Sequence, residues 1–226
     1  MPFDNMSEAQ RFAVRLLHKP KLWLLLAVLN VMPVLNILAL GYFARIAAEL
    51  PQEPLPLRPL GRTFILGLKV LVTMFVYGIL TIIVAVSVTV AVFSAAVPTA
   101  LPVYNPTADL LIAVAAVTFA IVLIAVLGVP VALIVTARHG VLAALNPLNS
   151  WRIIRKVGIG EYLTYLLVIL SFGLLSFLPS TAIVLLGLAG YVAVLIALVL
   201  AAPFVEAFLW YWGGLIVQRT ESADEQ

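Results

Sequence analysis

The chain is 226 residues long, carries 13 Lys and Arg against 10 Asp and Glu, and has no Cys; 64% of it is hydrophobic and 10% is charged. A soluble domain is about 45–50% apolar and about 25% charged, so this chain cannot cover its own surface with polar groups in water. That balance excludes a disordered tail, a disulfide scaffold and a Cys-ligated metal site, argues against a water-soluble enzyme, and points to an all-α integral membrane protein.

The first predicted element is an amphipathic helix over Ser7–Lys19. Ala9, Phe12, Ala13, Leu16 and Leu17 recur at helical spacing, Ser7 and Gln10 have capping-box spacing, and Pro20 stops the run. Arg11, Arg15 and Lys19 occupy its polar side. Such a helix is expected to lie flat on anionic headgroups. The apolar segment Leu22–Phe43 follows, broken near its middle by Pro33 between Asn30 and Asn36. Then comes Pro51-Gln-Glu-Pro-Leu-Pro-Leu-Arg-Pro59, whose prolines predict an extended segment, either a stiff strap across the inner surface or a docking site for a partner.

Four more apolar segments follow, Phe64–Val97, Leu110–Ala137, Tyr162–Leu178 and Thr181–Val217. A helical span needs about 20 apolar residues, so each can cross a bilayer, and the longest must tilt, kink or emerge from it. The alternation Val84–Val92 resembles a strand by period, but a lone strand in lipid would leave its backbone groups unpaired, and helix is expected. Between the third and fourth apolar segments, Pro147–Val157 reads as a second interfacial helix with Asn146 as N-cap. Leu148, Trp151 and Ile154 form one face, and Asn149, Arg152 and Lys156 the other. Arg152, Arg155 and Lys156 are candidate anionic-lipid contacts beside Arg11, Arg15 and Lys19. In the last segment Ala189, Ala193, Ala197 and Ala201 form a small-residue ladder, suited either to packing within one subunit or to a homo-oligomer seam. Trp210, Tyr211 and Trp212 suit an interfacial aromatic belt. Residues 1–218 read as one transmembrane domain and 219–226 as a polar tail.

The basic residues fall in the N-terminus, the first loop, the middle loop and the C-terminus, while the connections 98–107 and 179–180 carry none. Basic segments stay on the cytoplasmic side, which puts the C-terminus in the cytoplasm. The N-terminus and the first loop are both basic, yet one apolar segment separates them. Either Leu22–Phe43 is a re-entrant hairpin turning at Pro33, leaving four full spans, or it is a kinked fifth span with an external N-terminus. The hairpin is the expectation adopted.

Chemistry is sparse. There is no catalytic constellation, metal-ligand spacing or phosphate loop, and no cofactor or nucleic-acid partner is expected. Asn30, Asn36 and Glu206 form the one candidate polar intramembrane site, with Glu206 expected to pair with Arg138, Lys69 or Arg45. At Gly41-Tyr42-Phe43-Ala44-Arg45-Ile46, Leu50-Pro51, Gly67-Leu68-Lys69 and Tyr77-Gly78 the chain resembles an uncharacterised prokaryotic membrane family, domain of unknown function 4013. The resemblance implies a multi-pass helical protein of the cytoplasmic membrane with no assigned activity and supplies no catalytic residue. The function expected is a non-enzymatic scaffold, lipid-organising element or accessory subunit in contact with lipid and with a membrane-protein partner or further copies of itself. The alternative is a small transporter or channel using the broken helix around Pro33.

Overall fold

A computed structural model describes residues 2–96, 113, 116, 127–175 and 178–222. Among the described residues there is helix and no strand. In chain order the helices are α1 (Pro2–Leu17), α2 (Pro20–Val31), α3 (Asn36–Glu49), α4 (Leu60–Ala96), α5 (Leu127–His139), α6 (Val141–Ala144), α7 (Pro147–Val157), α8 (Ile159–Leu175) and α9 (Leu178–Ser222). Three stretches, Leu60–Val90, Ile159–Ala182 and Gly187–Ser222, are long and apolar enough to cross a membrane. The third apolar segment lies largely outside the described residues, apart from its last part in α5.

Two sequence expectations at the N-terminus change. The first helix starts at Pro2, not after a cap at Ser7; Pro is tolerated in a first turn, and the Ser7 hydroxyl donates to the Asp4 carbonyl at 2.8 Å from within the helix. The apolar stripe Ala9, Phe12, Ala13 and Leu16 is buried against protein rather than presented to headgroups. Phe12 stacks on Tyr211 of α9 with ring centroids 4.5 Å apart, and the Tyr211 hydroxyl donates to Glu8 at 3.1 Å. Periodicity identifies an apolar face; it cannot say whether lipid or a neighbouring helix covers it. The aromatic triplet follows the same correction, because Trp210, Tyr211 and Trp212 are all buried, Trp212 edge-on to Tyr165 at 5.2 Å.

The segment around Pro33 folds as two short helices joined by the turn 32–35. α2 has 12 residues and α3 has 14. At about 1.5 Å per residue each is roughly 20 Å long, shorter than the ~30 Å hydrocarbon core of a bilayer. The two far ends meet. The Lys19 ammonium donates to the Pro54 carbonyl at 3.1 Å and approaches Glu53 at 3.4 Å, and the Arg15 guanidinium donates to the Gln52 carbonyl.

α3 is the enclosed element. Ala39 and every residue from Gly41 to Ala47 are buried, so the middle of this helix has no solvent face. A helix closed in on all sides needs neighbours that approach without side chains between. On one flank Gly41 lies against the Thr63 carbonyl, and Gly67 of α4 lies against the Ile37 carbonyl. Each glycine faces the carbonyl one turn before the other glycine, an arrangement that brings Cα–H groups onto carbonyl oxygens and lets backbones touch. On the other flank Gly214 of α9 is so close that a Cβ there would stand 2.5 Å from the Ala47 carbonyl oxygen. α3 ends at Leu50, whose φ of 44° and ψ of 56° place a non-glycine residue in the left-handed region just before Pro51. The turn redirects the chain into the strap, which crosses back over α1.

Lower in the chain, Asn146 caps α7 as expected, its side chain accepting from the Leu148 N–H at 3.0 Å with Pro147 in the first turn. Of the expected apolar face, Ile154 is buried while Leu148 and Trp151 stay exposed. α9 is interrupted at Gly187 (φ 69°, ψ −164°), so the last apolar segment is two helices, the second of them running from Gly187. The four ladder alanines, Ala189, Ala193, Ala197 and Ala201, are exposed.

The glycine crossing generates a test. Gly41→Ala or Gly67→Ala drives a methyl group into backbone that cannot step aside. Each is expected to destabilise the detergent-solubilised protein by about 3 kcal/mol or more, at or beyond the upper end for overpacking. Gly78→Ala, with nothing within 4 Å of the added methyl, is the control and is expected to be neutral or to stabilise by up to about 1 kcal/mol. Thermal melts of the three variants decide it.

Candidate functional site

The end of α3 carries Arg45, one of the few charged side chains that is buried, at 5% exposure. Its position follows from the glycine crossing, which brings the first turn of α4 and the strap against it. Arg45 donates from Nη1 to the Pro56 carbonyl at 3.3 Å, the Arg58 carbonyl at 3.2 Å and the Thr63 hydroxyl at 3.3 Å. Its Nε donates to Glu49 at 3.4 Å, one helical turn on. Thr63, fully buried, donates in turn to the Pro59 carbonyl at 3.1 Å. A buried guanidinium is tolerable only when its donors are met, and here strap carbonyls that the prolines leave without helical or sheet partners meet them. Arg62 reaches the same Glu49 at 3.6 Å but is 71% exposed, a loose pair of small energetic weight. Between α3 and α4 these groups and Lys69 line a crevice of about 430 Å³.

The four basic groups converge. Arg138 at the end of α5 pairs with Glu221 of α9 at 2.7 Å and donates to the Ala47 carbonyl of α3 at 3.5 Å. His139 shares Glu221 at 2.6 Å. Glu161 of α8 accepts from Asn5 at 3.1 Å and lies 3.9 Å from Arg219. With the Lys19–Glu53 contact, these links bring N-terminus, first loop, middle loop and C-terminus to one pole of the molecule. Arg152 and Lys156 line a smaller crevice there, of about 160 Å³, with His139, Asn149 and Glu221. The Arg155 guanidinium lies over the Trp151 ring, 5.3 Å from its centroid. Arg15 and Lys19 turn toward the strap, and Arg11 is exposed.

The expected intramembrane site forms in part. Asn30 of α2 donates to Glu206 of α9 at 3.2 Å across 176 positions of sequence. Glu206 thus pairs with an amide and not with Arg138, Lys69 or Arg45; Arg138 and Arg45 hold the partners given above. Asn36 takes no part in the pair and opens α3, its backbone N–H on the Met32 carbonyl at 2.7 Å. Two oxygens of the pair, Oε2 of Glu206 and Oδ1 of Asn30, are buried without a donor. None of the crevices above includes Asn30, Asn36 or Glu206 in its lining. Sequence reasoning counted Arg62 as a topology charge and offered Arg45 and Lys69 as partners for Glu206, without joining the three. The signals that join them are the 45/49 pair at one turn and the 62/69 pair at two turns, which share faces of α3 and α4.

Two tests follow. Arg45→Met leaves the strap carbonyls without their donor, and a loss of about 2–3 kcal/mol is expected together with faster proteolysis within residues 51–59. Unchanged cleavage would show that the strap is held by other contacts. Glu206→Gln brings an N–H that can meet the Asn30 carbonyl oxygen while keeping the existing acceptor. It is expected to hold or raise the melting temperature, whereas Glu206→Ala, which strands the Asn30 amide, is expected to cost about 1–3 kcal/mol.

The family described as a protein of unknown function (DUF4013) matches residues 25–187. No curated protein and no solved structure matches the chain.

Proposed function

The chain belongs to the DUF4013 family, whose function is unknown, and we propose that it is a polytopic protein of a prokaryotic cytoplasmic membrane that works as a non-enzymatic, lipid-organising scaffold. The observation that carries this reading is the separation of charge from hydrocarbon. Three stretches suited to crossing a bilayer expose large apolar side chains, among them Phe75, Ile82, Leu167, Leu188 and Leu195, while the basic groups gather at one pole. Apolar belts of that kind match lipid, and a basic pole matches the anionic inner leaflet. In this reading the pole faces the cytoplasm, α2 and α3 form a re-entrant hairpin, and both termini are cytoplasmic. The meeting of Lys19 with the strap supports the hairpin, since a kinked full span would hold the two ends a membrane apart. The turn 32–35 is itself exposed, while α2 behind it packs against α9. A non-catalytic role is supported by how the ionisable groups are used: Arg45, Glu49, Arg138, Glu161 and Glu221 each bind one segment of the chain to another.

A transport role has one observation in its favour, the Asn30–Glu206 pair with its two unpartnered oxygens beside the helix break. Proteoliposome flux of protons or sodium that disappears in Glu206→Gln would support it over the scaffold.

Topology is the direct test of the scaffold's frame. With no native Cys, single-Cys variants at Gln10, Gln52 and Pro102 report sidedness without background. In intact cells a membrane-impermeant maleimide is expected to label position 102 and to spare positions 10 and 52 until the membrane is opened. Labelling of position 10 alongside 102 would make Leu22–Phe43 a true span.

A further inference from the structure

On α4 the residues Arg62, Ile65, Leu66 and Lys69 are spaced by three, four and seven, so they share one face. That face lines the crevice of about 430 Å³ whose opposite wall carries Arg45 and Glu49. Three cations therefore converge with one carboxylate, and the carboxylate is already divided between Arg45 at 3.4 Å and Arg62 at 3.6 Å. Lys69 stands seven residues along α4 from Arg62, about 10 Å at the helical rise, within the apolar stretch Leu60–Val90. Among the described residues no carboxylate lies within ion-pair distance of Lys69, although a cation set among apolar side chains ordinarily faces a counter-ion or a functional ligand. The three cations differ in freedom. Arg45 is fixed by the strap and shapes the floor, whereas Arg62 and Lys69 are exposed and able to close on a ligand.

We infer that this crevice binds a phosphate group, with Arg62 and Lys69 as its contacts and Arg45 as the group that holds the crevice open. An Arg and a Lys two helical turns apart on one face, both exposed and both lining the crevice, have side chains long enough to converge on a phosphate at the edge of hydrocarbon. Leu68 and Val72 continue the exposed apolar flank of α4 past the crevice and match acyl chains. A phospholipid headgroup and a soluble phosphate ester share this chemistry. The lipid source rests on the membrane reading proposed above; the phosphate site does not.

The test uses the full chain in neutral detergent with phosphatidylglycerol, phosphatidylcholine or inorganic phosphate added separately, read by native mass spectrometry and by thermal shift. Phosphatidylglycerol is expected to bind and protect more strongly than phosphatidylcholine. R62Q/K69Q is expected to weaken that binding about tenfold or more, as the loss of two surface cations implies. K21Q/R58Q, which removes equal charge at exposed positions outside the crevice, is expected to leave it unchanged. K69Q alone, with the ligand-free melting temperature of each variant, separates lost binding from lost folding. Protection by inorganic phosphate alone, abolished in R62Q/K69Q, assigns the site to a soluble phosphate and keeps the inference. Equal binding by R62Q/K69Q and the native chain, or an equal loss in both double variants, overturns it. Failure of membrane insertion in the labelling experiment would remove the lipid source while the phosphate measurement stands.

Discussion

The arrangement depends on the contact between the backbones of α3 and α4 at Gly41 and Gly67. Two helices that meet through glycine lose no volume to side chains, and dispersion and Cα–H contacts accumulate along the crossing. Because α9 approaches the other flank at Gly214, α3 is held between two close surfaces. An element confined in this way cannot shift to accommodate its neighbours, so they take their positions from it.

Charge placement follows from that confinement. The helix delivers Arg45 to a site too enclosed for water to satisfy it, and the proline-rich strap supplies carbonyls there. Proline suits the task because it keeps a carbonyl acceptor while giving up the N–H that would need a partner of its own. The strap then reaches α1, which is docked on α9 by Phe12 and Tyr211. Sequence-distant segments are thereby joined through one buried cation and one stack of rings.

Much of the helical pattern was legible in the sequence. The cap at Asn146, the break at Pro33 and the length of α4 each depend on local residues whose conformational effects do not need the rest of the chain. What was hidden concerns partners. The stripe of α1 and the rings at 210–212 were visible as apolar, yet the surface covering them lies about 200 positions away in the one case and includes Tyr165 in the other. Glu206 was visible as an unusual acid, but its choice of Asn30 over an arginine depends on which helix α9 packs against. The glycines at 41 and 67 carried the family resemblance without showing their reason, which is steric and arises only when both helices are present. The break at Gly187 was missed because glycine inside a helical pattern is ordinarily tolerated.

The uninterrupted helix from Gly187 to Ser222 sets a phase for its neighbours. α1, α2, α3 and α7 all dock along α9, at positions related to one another by its screw. A substitution on this helix disturbs one contact. An inserted or deleted residue would rotate everything beyond it by about 100° and displace it by about 1.5 Å, taking Tyr211 from Phe12 and Gly214 from Ala47 together. The last helix should accordingly accept exchange of residue type over much of its length while keeping its residue count invariant between Glu206 and Glu221, as a gear accepts worn teeth but not a missing one.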